Sequence, residues 1–252
     1  MQRFQNTMQP EVLFRLLATV LIISLAAPPS QADEKIRREA DKARSVKLLE
    51  ADHKGEIEAR WIAFNAASGR LLITNKTEEP LKVLVPVEMV AEHVVPADSA
   101  AGRSQTLGIG PHAGKGYQQN GFFNDGPGEA FFFVPAGKSS KAELPSVCLE
   151  YGRPDPSKRM RYQLRSVVAF TNPAPIVGFL KAWHTDRFSQ NVAQATAWRL
   201  ADGLTWERLA ALRAGTVGAY TAGRPMFSRQ DLDAAKKIAE QVTEAADKKT
   251  AK

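Results

Sequence analysis

The chain is poor in the residues on which much enzyme chemistry depends: its 252 residues hold one cysteine, Cys148, and four histidines. A single cysteine excludes an intramolecular disulfide framework, and a chain of this length can carry its stability in its core without one. His53, His93, His112 and His184 lie far apart, with no i, i+4 pair and no cysteine or carboxylate at ligand spacing, so no metal site is expected. No serine stands in a G-x-S-x-G elbow, and no carboxylate pair stands out for glycoside chemistry. "GIGPHAGKG" has three residues between Gly110 and Gly114 where a phosphate loop needs four. Gly116 follows Lys115 where a Ser or Thr would bind magnesium, so no nucleotide site and no other cofactor is expected.

Long apolar runs are missing as well. The one uncharged stretch, "LLATVLIISLAA" (Leu16 to Ala27), has 12 residues and is too short to span a bilayer. Arg3 and Arg15 give it a basic start, and Pro28, Pro29 and Ser30-Gln31-Ala32 follow it, the layout of a signal peptide cleaved after Ala32. Residues 1–32 are therefore expected to direct export, leaving a secreted or periplasmic, cell-envelope protein without a transmembrane helix. The 252 residues less this leader of 32 make a mature chain of 220. Removing Arg3, Glu11 and Arg15 from the 34 basic and 27 acidic residues leaves a formal +6. The cations are interleaved with acids, as in "DEKIRREADKARSVKLLEADHK". That pattern fits a solvated surface with weak affinity for anionic envelope surfaces, and no specific nucleic-acid partner. The expected partner is an unidentified envelope or extracellular one.

What is present divides into pieces. Residues 33–54 are highly charged, with a faint apolar stripe at Ile36, Ala40 and Ala43, and read as a leader helix or linker. After Gly55 the period becomes two: "EIEARW", "RLLITN" and "PLKVLVP" read as strands, as do "EAFFFV", "KAELPSVCLEY" and "RYQLRSVVAF". Between them, residues 97–128 are glycine-rich with little aliphatic material and read as a long mobile loop. Helical period takes over after Asn172-Pro173, with Ile176, Phe179, Leu180 and Trp183 on one face. Ser189, Thr205 and Ser228 are candidate N-caps of three further helices, and the Lys-rich end of the last is expected to fray. The expected fold class is α+β: an Ig-like antiparallel β-sandwich over residues 55–170, a helical subdomain over 171–215 packed on the sheet, and a C-terminal helix with a disordered tail over 216–252.

Two segments invite a sharper reading. If Pro145 to Tyr151 is a strand, Val147, Leu149 and Tyr151 share one face, which later helices can cover, and Ser146, Cys148 and Glu150 share the other. In "NVAQATAWRLADGLTWERLAAL", helical spacing puts Gln194, Ala197, Trp198 and Ala201 together. Trp198 and Trp206, beside Leu200, Leu204 and Leu209, read as interhelix packing rather than as an exposed ligand platform.

"VCLEYGRPDP" together with "AQATAWRLADGLTWERLA" resembles a pattern in a family of uncharacterised exported bacterial proteins. The likeness extends from about Glu56 to Leu212 and implies no particular activity. "AQATAWRLADG" is also similar to the glutamine-bearing segment of the thioester domains of bacterial surface adhesins, although Ala193 stands where a threonine is usual. That likeness implies an internal thioester between the Cys148 thiol and the Gln194 side chain. The sequence is therefore read as a non-enzymatic exported interaction or structural protein. A thioester protein using Cys148 and Gln194 is the first alternative, and a cysteine hydrolase pairing Cys148 with His184 or His112 is the second.

Overall fold

Alternation of apolar and polar residues turns β2 (Ile57–Asn65) and β3 (Ser68–Asn75) into a hairpin with one dry face, and the remaining strands extend it in two directions. The structure is a computed structural model that describes residues 31–95, 104–110, 116–119, 121–125, 130–170, 174–186, 188–213 and 223–250. The expected signal peptide falls almost wholly outside these residues. Among the described residues, no helix is long and apolar enough to cross a membrane.

Six strands close into an antiparallel barrel in the order β10-β3-β2-β11-β5-β6, where β5 is Met89–His93, β6 Leu107–Ile109, β10 Ser139–Cys148 and β11 Tyr162–Ser166. Directly opposed residues share a face, so the register identifies the lumen. Cys148 opposes Leu107, Leu107 opposes Ala91, and Ala91 opposes Leu164. Two residues before Leu164, Tyr162 opposes Trp61, Trp61 opposes Leu71, and Leu71 opposes Ala142 on β10 again. Every residue of this circuit is buried. The opposite face carries Arg60, Arg70, Lys141, Glu143 and Arg165 and is mostly wet.

This closure overturns the expected Ig-like β-sandwich. Alternation predicts half-buried strands but not their partners, and sandwich and barrel strands alternate alike. Closure rests on β11 returning to β2 through the Tyr162–Trp61 pair, a contact across 101 positions of chain. It also rests on β10, whose first seven residues pair with β3 and whose last three pair with β6.

A second, mixed sheet has the order β1-β4-β9-β8-β7. Its strands are β1 Arg44–Lys47, β4 Leu81–Leu84, β7 Gly116–Gln119, β8 Phe122–Asn124 and β9 Ala130–Val134, with β1 parallel to β4. Leu81, Val83, Phe122, Phe132 and Val134 join the main core. Phe123, Phe131 and Phe133 face the other way, where helix α1 (Gln31–Lys42) covers them with Ile36 and Ala40, joined by Ala43 just after its end. Ion pairs of Arg37 with Asp125 and of Asp41 with Lys82 hold the helix there. Residues 33–54, read as a leader, thus contain α1, β1 and the short helix α2 (Leu48–His53), whose Leu48 and Ala51 are fully buried.

The glycine-rich segment 97–128, expected as a mobile loop, supplies β6, β7 and β8. It needs few aliphatic residues of its own because its neighbours provide the apolar contact. Gly108 lies flat against Leu180, Val147 and Leu149, leaving no room for a Cβ without a shift in its neighbours. Gly121 turns β7 into β8 at φ +77°, a conformation that L side chains rarely adopt.

Helices follow the strands. α3 (Val167–Phe170) continues from β11, and then come α4 (Ala174–Asp186), α5 (Gln190–Ala201), α6 (Trp206–Ala211) and α7 (Arg229–Thr250). Ser189 and Thr205 cap α5 and α6 through their side-chain oxygens, and Ser228 and Asp231 make reciprocal bonds at the start of α7. Ile176, Phe179, Leu180 and Trp183 bury the inner face of α4. α7 closes over α4 and α5 through Ala235, Ile238, Ala239 and Val242.

Candidate functional site

Where β10 outruns β3, its main chain needs new partners. Pairing with β3 ends at Pro145 opposite Ser68, and Ser146 N–H then bonds the Ala67 carbonyl at 2.9 Å. Beyond this point the same edge of β10 is occupied by side chains of α5. Gln190 Nε2 donates to the Ser146 carbonyl at 2.6 Å. Gln194 Oε1 accepts the Cys148 N–H at 2.9 Å, and Gln194 Nε2 donates to the Cys148 carbonyl, also at 2.9 Å.

The fit is geometric. Four helical residues rise about 6.0 Å and two strand residues about 6.7 Å, so glutamines at i and i+4 meet alternate residues of a strand running alongside. The carboxamides act as substitute strand neighbours, satisfying main-chain groups that would otherwise be buried without partners. At the C-cap position that directly follows α5, Asp202 Oδ2 accepts the Tyr151 N–H at 2.8 Å and extends the series. Burial raises the Asp202 carboxyl above the usual range, against the opposing effect of that bond.

The structure therefore brings Cys148 and Gln194 together across 46 positions, through the cysteine's main chain. The thiol points into the lumen with 1% exposure, while Val147 and Leu149 on the outer side are covered by the helices. Burial, with smaller contributions from Asp155, Asp202 and Glu150, pushes its pKa up to about 12. A thiol so placed is almost wholly protonated at neutral pH, whereas nucleophilic chemistry needs the thiolate.

His93 and His184, among the described residues, are held by other partners. Among the described residues no hydrogen bond joins Cys148 Sγ to a histidine. His184 Nε2 stands 3.4 Å from the Ile109 carbonyl, and His93 Nδ1 accepts the Ser104 N–H at 2.8 Å. His112 lies outside the described residues. Among those described, no cluster of three or more His, Cys, Asp or Glu could hold a metal ion.

The tryptophans separate in role. Trp198 is 7% exposed and packs edge-on against Tyr151 and Phe227, with ring centroids at 5.0 and 6.0 Å. Trp206, at the start of α6, stays half-buried with the Arg199 guanidinium 5.7 Å from its ring centroid. Its indole is the shared wall of two open clefts. One, of about 550 Å³, is lined by Pro175, Arg199, Gly203, Ala239 and Glu240. The other, of about 600 Å³, is lined by Pro225, Phe227, Leu232, Asp233 and Lys236.

Sequence reasoning singled out Gln194 but passed over Gln190 and Asp202. The signal available was the i, i+4 pair of glutamines just after an N-cap serine, on a helix facing the end of a long strand. Comparisons of the chain with protein-family models, with curated proteins and with solved structures found no match.

Proposed function

We propose that this chain is an exported, non-enzymatic interaction module of the cell envelope or extracellular space, and that its working surface is the helical layer around Trp206. The observation that carries this reading is the half-buried Trp206 indole standing between two open clefts. Aromatic side chains with one wet face are favoured anchors for a partner, and concave surfaces lined by apolar groups with a few charges are the usual binding geometry. The barrel lumen is lined by the buried side chains of Trp61, Leu71, Leu107 and Tyr162. Export rests on the signal-like start of the sequence.

The test places a photo-crosslinking amino acid at position 206 and, as control, at Lys141 on the outer barrel face, in the chain expressed with its own leader. A discrete adduct from position 206 alone, in protein recovered outside the inner membrane with Asp33 at its N-terminus, is expected. Equal adducts from both positions, or a mature protein beginning at Met1, would overturn the reading.

The contact of Gln194 with Cys148 supports a second reading, the internal thioester. Its formation would join Sγ to the Gln194 side-chain carbon, break the bond to Nε2 and pass the thiol proton to the departing ammonia. The raised thiol pKa and the two hydrogen bonds that hold the carboxamide on the main chain both oppose that step. A structural role needs neither a thiolate nor a leaving group, and is preferred.

A further inference from the structure

One end of the barrel gathers cations that pair with no carboxylate among the described residues. The turn Ser157 to Arg161, closed by a 3.1 Å bond from Met160 N–H to the Ser157 carbonyl, carries Lys158, Arg159 and Arg161, all exposed. Tyr162 faces the lumen, so Arg161 faces outward, and the bond from Val94 N–H to the Arg161 carbonyl sets it beside Val94, which is 46% exposed. Lys158 and Arg70 both stand over the Phe64 ring, at 5.0 and 5.1 Å from its centroid.

Carboxylates along β2 and β10 are paired with other cations. Glu143 pairs with Arg70, and Glu58 pairs with Lys76 and Arg60. Asp155, on the same loop, accepts from the neutral Gln105 Nε2 and keeps its charge, so residues 155–161 carry three cations against one anion. Among the described residues no ion pair involves Lys158, Arg159 or Arg161. The outcome is a positively charged end of the barrel with the side chains of Val94, Met160 and Phe64 interspersed at its surface.

We propose that this face docks the protein on an anionic phospholipid surface, with the three turn cations at the headgroups and Val94 at the interface. Charge complementarity favours an anionic partner, since basic residues close to such a membrane each strengthen binding by roughly fivefold. The exposed valine beside them favours a lipid surface over a nucleic acid, whose phosphates give an apolar side chain nothing to enter. The proposal is independent of the Trp206 clefts, which lie in the helical layer.

The test is co-sedimentation of the mature chain with phosphatidylglycerol-rich vesicles and with pure phosphatidylcholine vesicles at low salt. Binding to the first alone, largely lost at about 0.5 M salt, is expected. The triple variant Lys158→Gln, Arg159→Gln, Arg161→Gln should bind more weakly by on the order of 100-fold with an unchanged unfolding temperature. The control triple Lys237→Gln, Lys248→Gln, Lys249→Gln removes the same charge from exposed positions of α7 and should bind within about threefold of the wild type. Equal losses in both triples would show that net charge and not this face is responsible, and would overturn the proposal. Retention on duplex DNA without vesicle binding would overturn it in favour of a nucleic-acid partner.

Discussion

Replacing Gln194 tests whether its carboxamide is a structural neighbour of β10. Gln194→Met keeps an unbranched side chain of similar length and helix propensity but leaves the Cys148 N–H and carbonyl without partners in a site where Gln194 itself is 6% exposed. Each buried main-chain group left unpaired costs about 1–3 kcal/mol, so the expected loss is about 2–5 kcal/mol, read as a lowered urea midpoint at unchanged m. Cys148→Ala keeps both main-chain bonds and should lose only about 1 kcal/mol, for the missing sulfur. Gln194→Glu adds a pH signature. A protonated carboxyl can accept from the N–H and donate to the carbonyl as the amide does, whereas a carboxylate can only accept. Its folded pKa should therefore rise above the unfolded value near 4.3, and stability should be fully present below that value and fall as pH rises through the raised folded pKa. The reasoning is refuted if Gln194→Met stays within about 0.5 kcal/mol of the wild type, or if Cys148→Ala costs as much as Gln194→Met.

Three further outcomes follow from the same geometry. The Cys148 pKa, raised to about 12 by burial, makes the native state favour the protonated thiol. Stability from this group is complete below the unfolded pKa near 8.5 and declines above it, by about 2 kcal/mol at pH 10, and Cys148→Ala should lack that component in urea melts taken from pH 7 to 10. Maleimide should label the thiol only in the unfolded protein, and the intact native mass should equal that of the mature sequence. A deficit of one ammonia, restored by methylamine, would instead establish the thioester. Gly69→Ala should cost about 1–3 kcal/mol by thermal unfolding, because its Cβ would strike the Trp61 ring that lies over the glycine. A neutral result would mean that Trp61 can move aside.

Local features were legible because they depend on a few neighbouring residues. The strand runs around Trp61, Leu71 and Cys148 follow from alternation, and the caps at Ser189, Thr205 and Ser228 follow from one side chain reaching an amide three residues on. The inner face of α4 follows from helical spacing, as does the packing of Trp198. Even the special standing of Cys148 and Gln194 could be seen, although the contact turned out to run through main-chain atoms that every residue possesses and that composition cannot reveal.

Tertiary structure decided the rest. Whether alternating strands form a sandwich or a barrel depends on which edges meet, and Trp61 with Tyr162 or Cys148 with Leu107 are pairings between distant segments that carry no local mark. The glycine-rich stretch becomes strands because Leu180, Val147 and Leu149 lie against Gly108, and its own residues say nothing of them. Trp206 and Trp198 look alike in the sequence, yet Tyr151 and Phe227 pack on one while the other stands between two clefts. The physical reason is common to all three: hydrogen-bonding capacity and apolar area are properties of single residues, whereas their satisfaction depends on the partner that the rest of the chain delivers.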